Sequence, residues 1–321
     1  MEETKHIPVL LAETIAGLHL TKGTIAVDAT LGGGSHAKAM LEALAPGGMV
    51  IAFDADAEAL TRFMTRADGD DFLQQALVEK RLHLVRENYS RLASVLDQLG
   101  VKAVQAILAD LGFSSDQIAG AARGFSFQSD GPLDMRLDQT TTLTADEIVH
   151  TFSSERLEQL FRQYGDEPLA RRIAEAIVQE RTKRPLHTTV ALRKLIEEVY
   201  PKRLSLHKKI HPATKVFQAL RIAVNEEFEH LERFLVQAVE RLVPGGRLAV
   251  ITFHSGEDKR VKQFFRTEAQ GCICPPNFPV CRCGNTARIT IITKRPIVAT
   301  EEEQANNPRA RSAKLRIIEK L

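Results

Sequence analysis

The chain has 321 residues, 43 Lys and Arg against 41 Asp and Glu, and 44% hydrophobic residues, enough for two domains with a substantial core. A formal net charge of +2 argues against a histone-like binder held to nucleic acid by bulk charge. No apolar run reaches the ~18 residues of a membrane span, and acids at Glu2 and Glu3 stand where a signal peptide needs positive charge, so a cytoplasmic protein with no membrane partner is expected.

Up to residue 110 the chain alternates strand-like and helix-like pieces. Ile25 to Asp28 reads as a short buried strand, Gly32-Gly33-Gly34 as a turn, and His36 to Leu44 as a helix stopped by Pro46-Gly47-Gly48. Met49 to Asp54 is a second strand, followed by a helix from Ala57. Leu82 to Val85 is a third, and Val104 to Leu108 a fourth that ends at Asp110. Strands alternating with helices imply crossovers and a parallel sheet, whose strands are apolar because both faces are covered. From about 116 to 215 only helical pieces are found, among them one with Leu169, Ile173 and Ile177 on a shared face and another from Thr189 to Tyr200. A single long helix is then expected from Ala213 to Leu242, ended by Pro244-Gly245-Gly246. Leu248 to Phe253 is a fifth strand; Ala287 to Thr293 and Lys314 to Ile318 are two late strands that pair antiparallel, with a polar loop from Ala299 to Arg311. The expected architecture is α/β: a Rossmann-like, mostly parallel sheet with an antiparallel strand near the C-terminus, formed by residues 1–115 and 216–321 and interrupted by an all-helical insertion at 116–215.

Charge is uneven. Residues 1–60 carry a net −5 and residues 171–221 a net +9. A basic middle suits a polyanion, although a solvated helical surface also gives such a run.

The segment Gly32-Gly33-Gly34-Ser35-His36-Ala37 fits G-x-G-x-x-A between a strand and a helix, where glycine admits a ligand to the backbone and the helix start offers free N–H donors. Asp54 closes the second strand, placed to accept from ribose hydroxyls. This much fits a nicotinamide dinucleotide or S-adenosylmethionine (SAM). Asp28, just before the loop, favours SAM: a carboxylate suits its cationic amino-acid end and repels a pyrophosphate. The late antiparallel strands point the same way. Ligands lie beyond the carboxyl ends of strands in such sheets, so Asp28, Asp54 and Asp110 converge on one crevice.

Several longer motifs now stand together: His6-Ile-Pro-Val-Leu-Leu, Asp28-Ala-Thr-Leu-Gly-Gly-Gly, Phe53-Asp-Ala-Asp, Ala109-Asp-Leu-Gly-Phe-Ser-Ser, Arg123-Gly-Phe-Ser-Phe, Asp130-Gly-Pro-Leu-Asp-Met-Arg136, His211-Pro-Ala-Thr, Phe217-Gln-Ala-Leu-Arg-Ile222, Phe253-His-Ser255 and Asn307-Pro-Arg-Ala-Arg-Ser312. With these the chain resembles, over nearly its whole length, the MraW/RsmH family of bacterial SAM-dependent methyltransferases, which modify N4 of a cytosine (position 1402) in the decoding region of 16S ribosomal RNA. The resemblance implies SAM contacts at Gly34, Ser35, His36, Asp54, Tyr89, Asp110 and Gln117, and 16S rRNA within the small ribosomal subunit as substrate. It has one departure, Ser35 where the family usually has Gly; were φ positive there, Ser would cost about 1 kcal/mol.

Methyl transfer to the cytosine amine is an in-line displacement on a flipped-out base, and an acceptor on the amine N–H localises its lone pair and leads the proton away. Asp110 is the candidate acceptor, with a purely cofactor-binding role as the alternative, and Phe113 is the candidate for stacking on the base. The basic insertion is the expected RNA platform, with His211, Lys215, Arg221, Arg309 and Arg311 as phosphate contacts. His254 either faces the pocket or is structural. Cys272, Cys274, Cys281 and Cys283 form two C-x-C pairs that suit a structural zinc, free thiols or adventitious disulfides. A methyltransferase of DNA or another RNA, a nicotinamide dehydrogenase, and a SAM-sensing RNA-binding assembly factor remain as alternatives, and the chain is compatible with a monomer or a homodimer.

Overall fold

The computed structural model describes residues 7–112, 123–201, 210–272, 274 and 282–321. Seven strands form one sheet: β1 (Ile25–Asp28), β2 (Met49–Phe53), β3 (Leu82–Val85), β4 (Val104–Asp110), β5 (Leu242–Thr252), β6 (Ile289–Ile291) and β7 (Lys314–Lys320). Their order is β3-β2-β1-β4-β5-β7-β6. Pairing is parallel from β3 through β5, and β7 runs antiparallel to both β5 and β6. The Rossmann-like α/β sheet expected from the sequence is therefore the one present.

Because strand side chains alternate faces, each apolar run feeds two cores. Ala26, Ala106, Leu108, Ala249 and Ile251 pack with Leu18 of α1 (Leu11–Leu18), Met40 and Leu41 of α2 (Ser35–Leu44) and Phe63 of α3 (Ala57–Ala67). Val27, Ile107, Ala109, Leu248 and Val250 pack on the other face with Leu96 of α4 (Leu92–Gln98), Leu235 of α5 (Glu227–Arg241), and Val261 and Phe265 of α6 (Ser255–Glu268).

The chain divides into two compact units, one of 113–228 and one of 5–112 with 229–321. The first is helical and has its own core, in which Ile148, Phe161, Ile173, Leu192 and Leu220 are fully buried. Three of its helices start on side-chain caps: Thr144 accepts from Glu147 N, Ser153 from Arg156 N and Thr188 from Ala191 N, each serving an otherwise orphaned donor.

Three expectations are corrected. The long helix from Ala213 to Leu242 is two helices, Ala213–Val224 and α5, separated by Asn225 and by Glu226 at φ 45°. The cause is the Asn225 amide, which donates to Met135 O at 2.8 Å and accepts from Leu137 N at 2.8 Å. Pro244-Gly245-Gly246 does not end a helix; it lies inside β5, at an irregularity in its register with β4 between Val104 and Ala106. The stretch from Ala299 to Arg311 is not a plain loop. It holds a helix at Glu301–Asn306, capped by Thr300 with acids in its first turn, and a 3-10 turn at Pro308–Ser312. No helix among the described residues is long and apolar enough to cross a membrane.

Candidate active site

The strand order reverses between β1 and β4, and beyond the carboxyl ends of those strands lies the crevice such sheets use for ligands. Asp28 is the last residue of β1, Asp54 follows β2, and Asp110 ends β4.

Asp28 is fully buried. Its Oδ1 accepts from Thr30 N at 3.1 Å, while Oδ2 has no partner among the described residues. Burial pushes its carboxyl well above the ordinary value; the Thr30 and Ala37 amides oppose this, and the negative charges of Asp110 and Asp54 add to it. Asp54 is half-buried and bridges the loop: Oδ2 accepts from Gly32 N at 3.0 Å and Oδ1 from Asp56 N at 2.9 Å. Burial raises it to about 6 against those two amide donors.

Asp110 has a side chain 16% exposed, with Oδ1 unserved among the described residues. Burial pushes its carboxyl to about 7; Arg309 lowers it and Glu257 raises it. Its own N–H donates to Thr30 Oγ1 at 2.7 Å, so Thr30 fixes two of the three acids. His36 Nδ1 lies 3.8 Å from Asp110 Oδ2, yet this is no ion pair. His36 Nε2 is 3.2 Å from Val9 O, which only accepts, so the ring proton sits on Nε2 and Nδ1 is bare. Burial holds the imidazole down to about 4 and hence neutral.

The glycine turn is held by Gly34 N donating to Leu31 O at 2.7 Å and by Arg66 Nη1 donating to Gly33 O at 2.8 Å. Gly34 has φ +77°, and a Cβ there would stand 2.2 Å from Phe63 Cε2. Gly32 and Gly34 are the left-handed positions of the turn, whereas Ser35 is the first residue of α2 and has no positive φ. The Ser-for-Gly departure costs no backbone strain. Tyr89 opens a 3-10 turn after β3, its ring edge-on to Phe234 at 5.2 Å.

Two buried acceptor atoms that no described residue serves, Asp28 Oδ2 and Asp110 Oδ1, together with a glycine turn at a helix start, fit a ligand that carries positive charge and N–H groups. SAM meets that description. Phe113, Gln117 and Cys281 lie outside the described residues.

The expected phosphate contacts belong to both compact units. On the helical unit His211 stacks on Phe127 at 4.8 Å and meets Glu197 Oε1 at 2.9 Å. Lys215 Nζ donates to Asp166 O at 2.6 Å, and Arg221 grips both oxygens of Glu227 at 2.9 and 3.0 Å. Arg311 is exposed. Arg309 lies 5.5 Å from the Phe253 ring and near enough to lower Asp110, a neighbour the sequence did not suggest. His254 caps α6 in a reciprocal box with Glu257. Sequence reasoning also missed Thr30, whose place two residues after Asp28 is the available signal for a side chain–backbone turn.

Comparison with known proteins is consistent along the chain. The model of the MraW methylase family matches residues 3–321. "Ribosomal RNA small subunit methyltransferase H" of Thermomicrobium roseum is 50% identical over 321 residues, covering 99% of this chain and 94% of that one. The protein of the same name from Geotalea daltonii is 46% identical with full coverage of both chains, and that from Brevibacillus brevis 43% identical over 98% of each. With its acids at three strand ends and this match over almost every residue, the chain is a methyltransferase and belongs to the MraW methylase family.

Proposed function

We propose that this enzyme uses SAM to methylate N4 of a cytosine in the decoding region of 16S rRNA, at position 1402. The observation that carries the reading is the buried Asp110 carboxyl at the end of β4, with an acceptor oxygen that no described residue serves. The relatives' name supplies the substrate class, small-subunit ribosomal RNA.

The residues divide the work. The turn at Gly34, Ser35 and His36 holds the methionine end, and Asp28 faces its positive charge from beneath the loop. Asp54 accepts from ribose hydroxyls with lone pairs left free by its two backbone bonds. Tyr89 borders the adenine. Bound there, SAM supplies an electrophilic methyl group. Asp110 accepts the N–H of the cytosine amine, draws its lone pair out of the ring, and takes the proton as the nitrogen becomes positive. Arg309 beside it keeps a useful fraction of the carboxyl ionised near pH 7. A base reaches this crevice only out of its stack, so the flanking RNA must be gripped elsewhere, and the exposed cations of the helical unit and Arg311 supply that grip.

Incubating the protein with labelled SAM and either small subunits or naked 16S rRNA, followed by nucleoside analysis, tests the reading. N4-methylcytosine is the expected product. Its absence with both substrates overturns the proposal, and label in another nucleoside reassigns the acceptor.

A further inference from the structure

Helix α6 ends at Glu268 and β6 begins at Ile289, so that residues 269–288 form an excursion between them in sequence. The two ends of this excursion are clamped. Arg288 N donates to Glu268 O at 2.8 Å, and the Arg288 guanidinium meets the Glu268 carboxylate at 3.0 Å. Further out, Asn285 Nδ2 donates to the carbonyls of Gln270 and Gly271 at 2.9 and 2.6 Å. Just beyond that clamp lie Cys272, Cys274 and Cys283, whose sulfurs all fall within 4.8 Å of one another.

Cys272 and Cys283 are exposed and Cys274 is half-buried, so burial does not explain the cluster. Nor does a disulfide: Cys283 Sγ donates to Cys272 Sγ across 3.8 Å, against the ~2.05 Å of a disulfide. Two sulfurs each ~2.3 Å from one zinc ion, at a tetrahedral angle of ~109°, are separated by about 3.8 Å. Backbone amides also aim at the sulfurs. Cys274 N donates to Cys272 Sγ at 3.4 Å and Arg282 N to Cys274 Sγ at 3.3 Å. Such donors favour the thiolate over the thiol, the form a metal needs. The sequence sets one further thiol, Cys281, two residues before Cys283.

We propose that Cys272, Cys274 and Cys283 are ligands of a structural zinc ion that closes the excursion between α6 and β6. Each coordinating thiol gives its proton to solvent and its sulfur lone pair to the metal, with no change in oxidation state. The ion has a structural role because β6 is the sheet's edge strand, with β7 and β5 between it and β4.

Metal analysis of the whole protein, purified under reducing conditions without chelator and supplied with zinc, is expected to give about one zinc per chain. Titration with an organomercurial should release that zinc to a chelating dye in step with thiol modification. Cys272→Ser and Cys283→Ser should each lower the bound zinc at least tenfold, with circular dichroism reporting that the fold is kept. Cobalt in place of zinc should show sulfur-to-metal charge-transfer absorption in the unaltered chain, a readout that stands even where a variant fails to fold. A zinc content near zero, all three thiols reacting freely in the zinc-supplied protein, zinc retained in both variants, or a cobalt spectrum without sulfur charge transfer overturns the proposal.

Discussion

Replacing Asp110 with Asn examines the proton-accepting role and the electrostatics behind it together. Burial moves this carboxyl from 3.8 to about 7. Between those values the folded chain holds a proton that the unfolded chain has lost. The stability linked to that proton is fully present below pH ~4 and disappears as pH rises through about 7. Three units at about 1.36 kcal/mol each set a ceiling of about 4 kcal/mol. Because the side chain keeps 16% of its exposure, water softens this to about 2–3 kcal/mol. Asn preserves the shape and carries no charge. The unbound variant should therefore resist urea better than the parent at pH 8, by about 2 kcal/mol, with the gap closing toward pH 4. Asp54 titrates alike in both proteins, whereas Asn at 110 also removes a charge that raises Asp28, which adds to the variant's advantage at high pH. Turnover should move the other way. In the parent it rises with pH through about 7 as the carboxylate forms; in the variant it falls by about 10²–10⁴ and loses that pH limb. Urea titrations at pH 4, 6 and 8 and a pH–rate profile measure both. A stability gap that does not widen with pH refutes the electrostatic reasoning, and a defect confined to SAM affinity refutes the proton-accepting role.

Other outcomes follow from single contacts. Gly34→Ala places a Cβ 2.2 Å from Phe63 Cε2 at φ +77°; strain and crowding of about 2–3 kcal/mol should weaken SAM binding at least tenfold by calorimetry. An unchanged affinity counts against the loop as cofactor cradle. Gly124→Ala puts a Cβ 1.9 Å from Pro132 O at φ +66°, against backbone that cannot swing aside; a loss of about 3 kcal/mol in denaturant unfolding is expected, and a loss below about 1 kcal/mol would mean that the loop relaxes freely. Arg311→Glu, and separately Arg172, Lys183 and Lys194 reversed together, should lower affinity for 16S rRNA and flatten its salt dependence while SAM affinity stays the same. Equal RNA affinity at low and high salt would remove these residues from the interface.

The ends of β1, β2 and β4 were legible because each of those apolar runs stops at an acid, and Asp28, Asp54 and Asp110 could be placed without any long-range information. The break after Val224 was not legible. Phe217, Leu220, Val224, Phe228 and Leu231 keep a spacing of threes and fours straight through it, and the residue that ends the helix, Asn225, acts through Met135 and Leu137, 90 and 88 residues away. The helix at Glu301–Asn306 was hidden for a similar reason. Its acids read as a solvated loop, yet Glu303 Oε1 accepts from Leu10 N at 2.8 Å and Asn307 Nδ2 donates to Ile7 O at 3.0 Å, contacts between opposite ends of the chain. Arg309 was legible as a cation. Its position beside Asp110 depends on the chain's return after β6, which local sequence does not specify.

The same distinction between a residue's charge and its neighbours applies to the basic middle of the molecule. A net +9 over residues 171–221 counts cations without asking which are already matched. Arg171 pairs with Glu175, Arg184 with Glu180, Arg193 with Glu197 and Arg221 with Glu227. Arg181 is structural, donating to the carbonyls of Val149 and Phe152. A phosphate at any of these must compete with a neighbour already in place, and exposed pairs of this kind yield only about 0–1 kcal/mol when exchanged. Arg172, Lys183 and Lys194 are exposed and have no acid partner among the described residues. Each can release a counterion on meeting a phosphate without first breaking an ion pair. Within the helical unit, a proposed RNA grip therefore rests more easily on these three than on Arg221 or His211, whose side chains already meet Glu227 and Glu197.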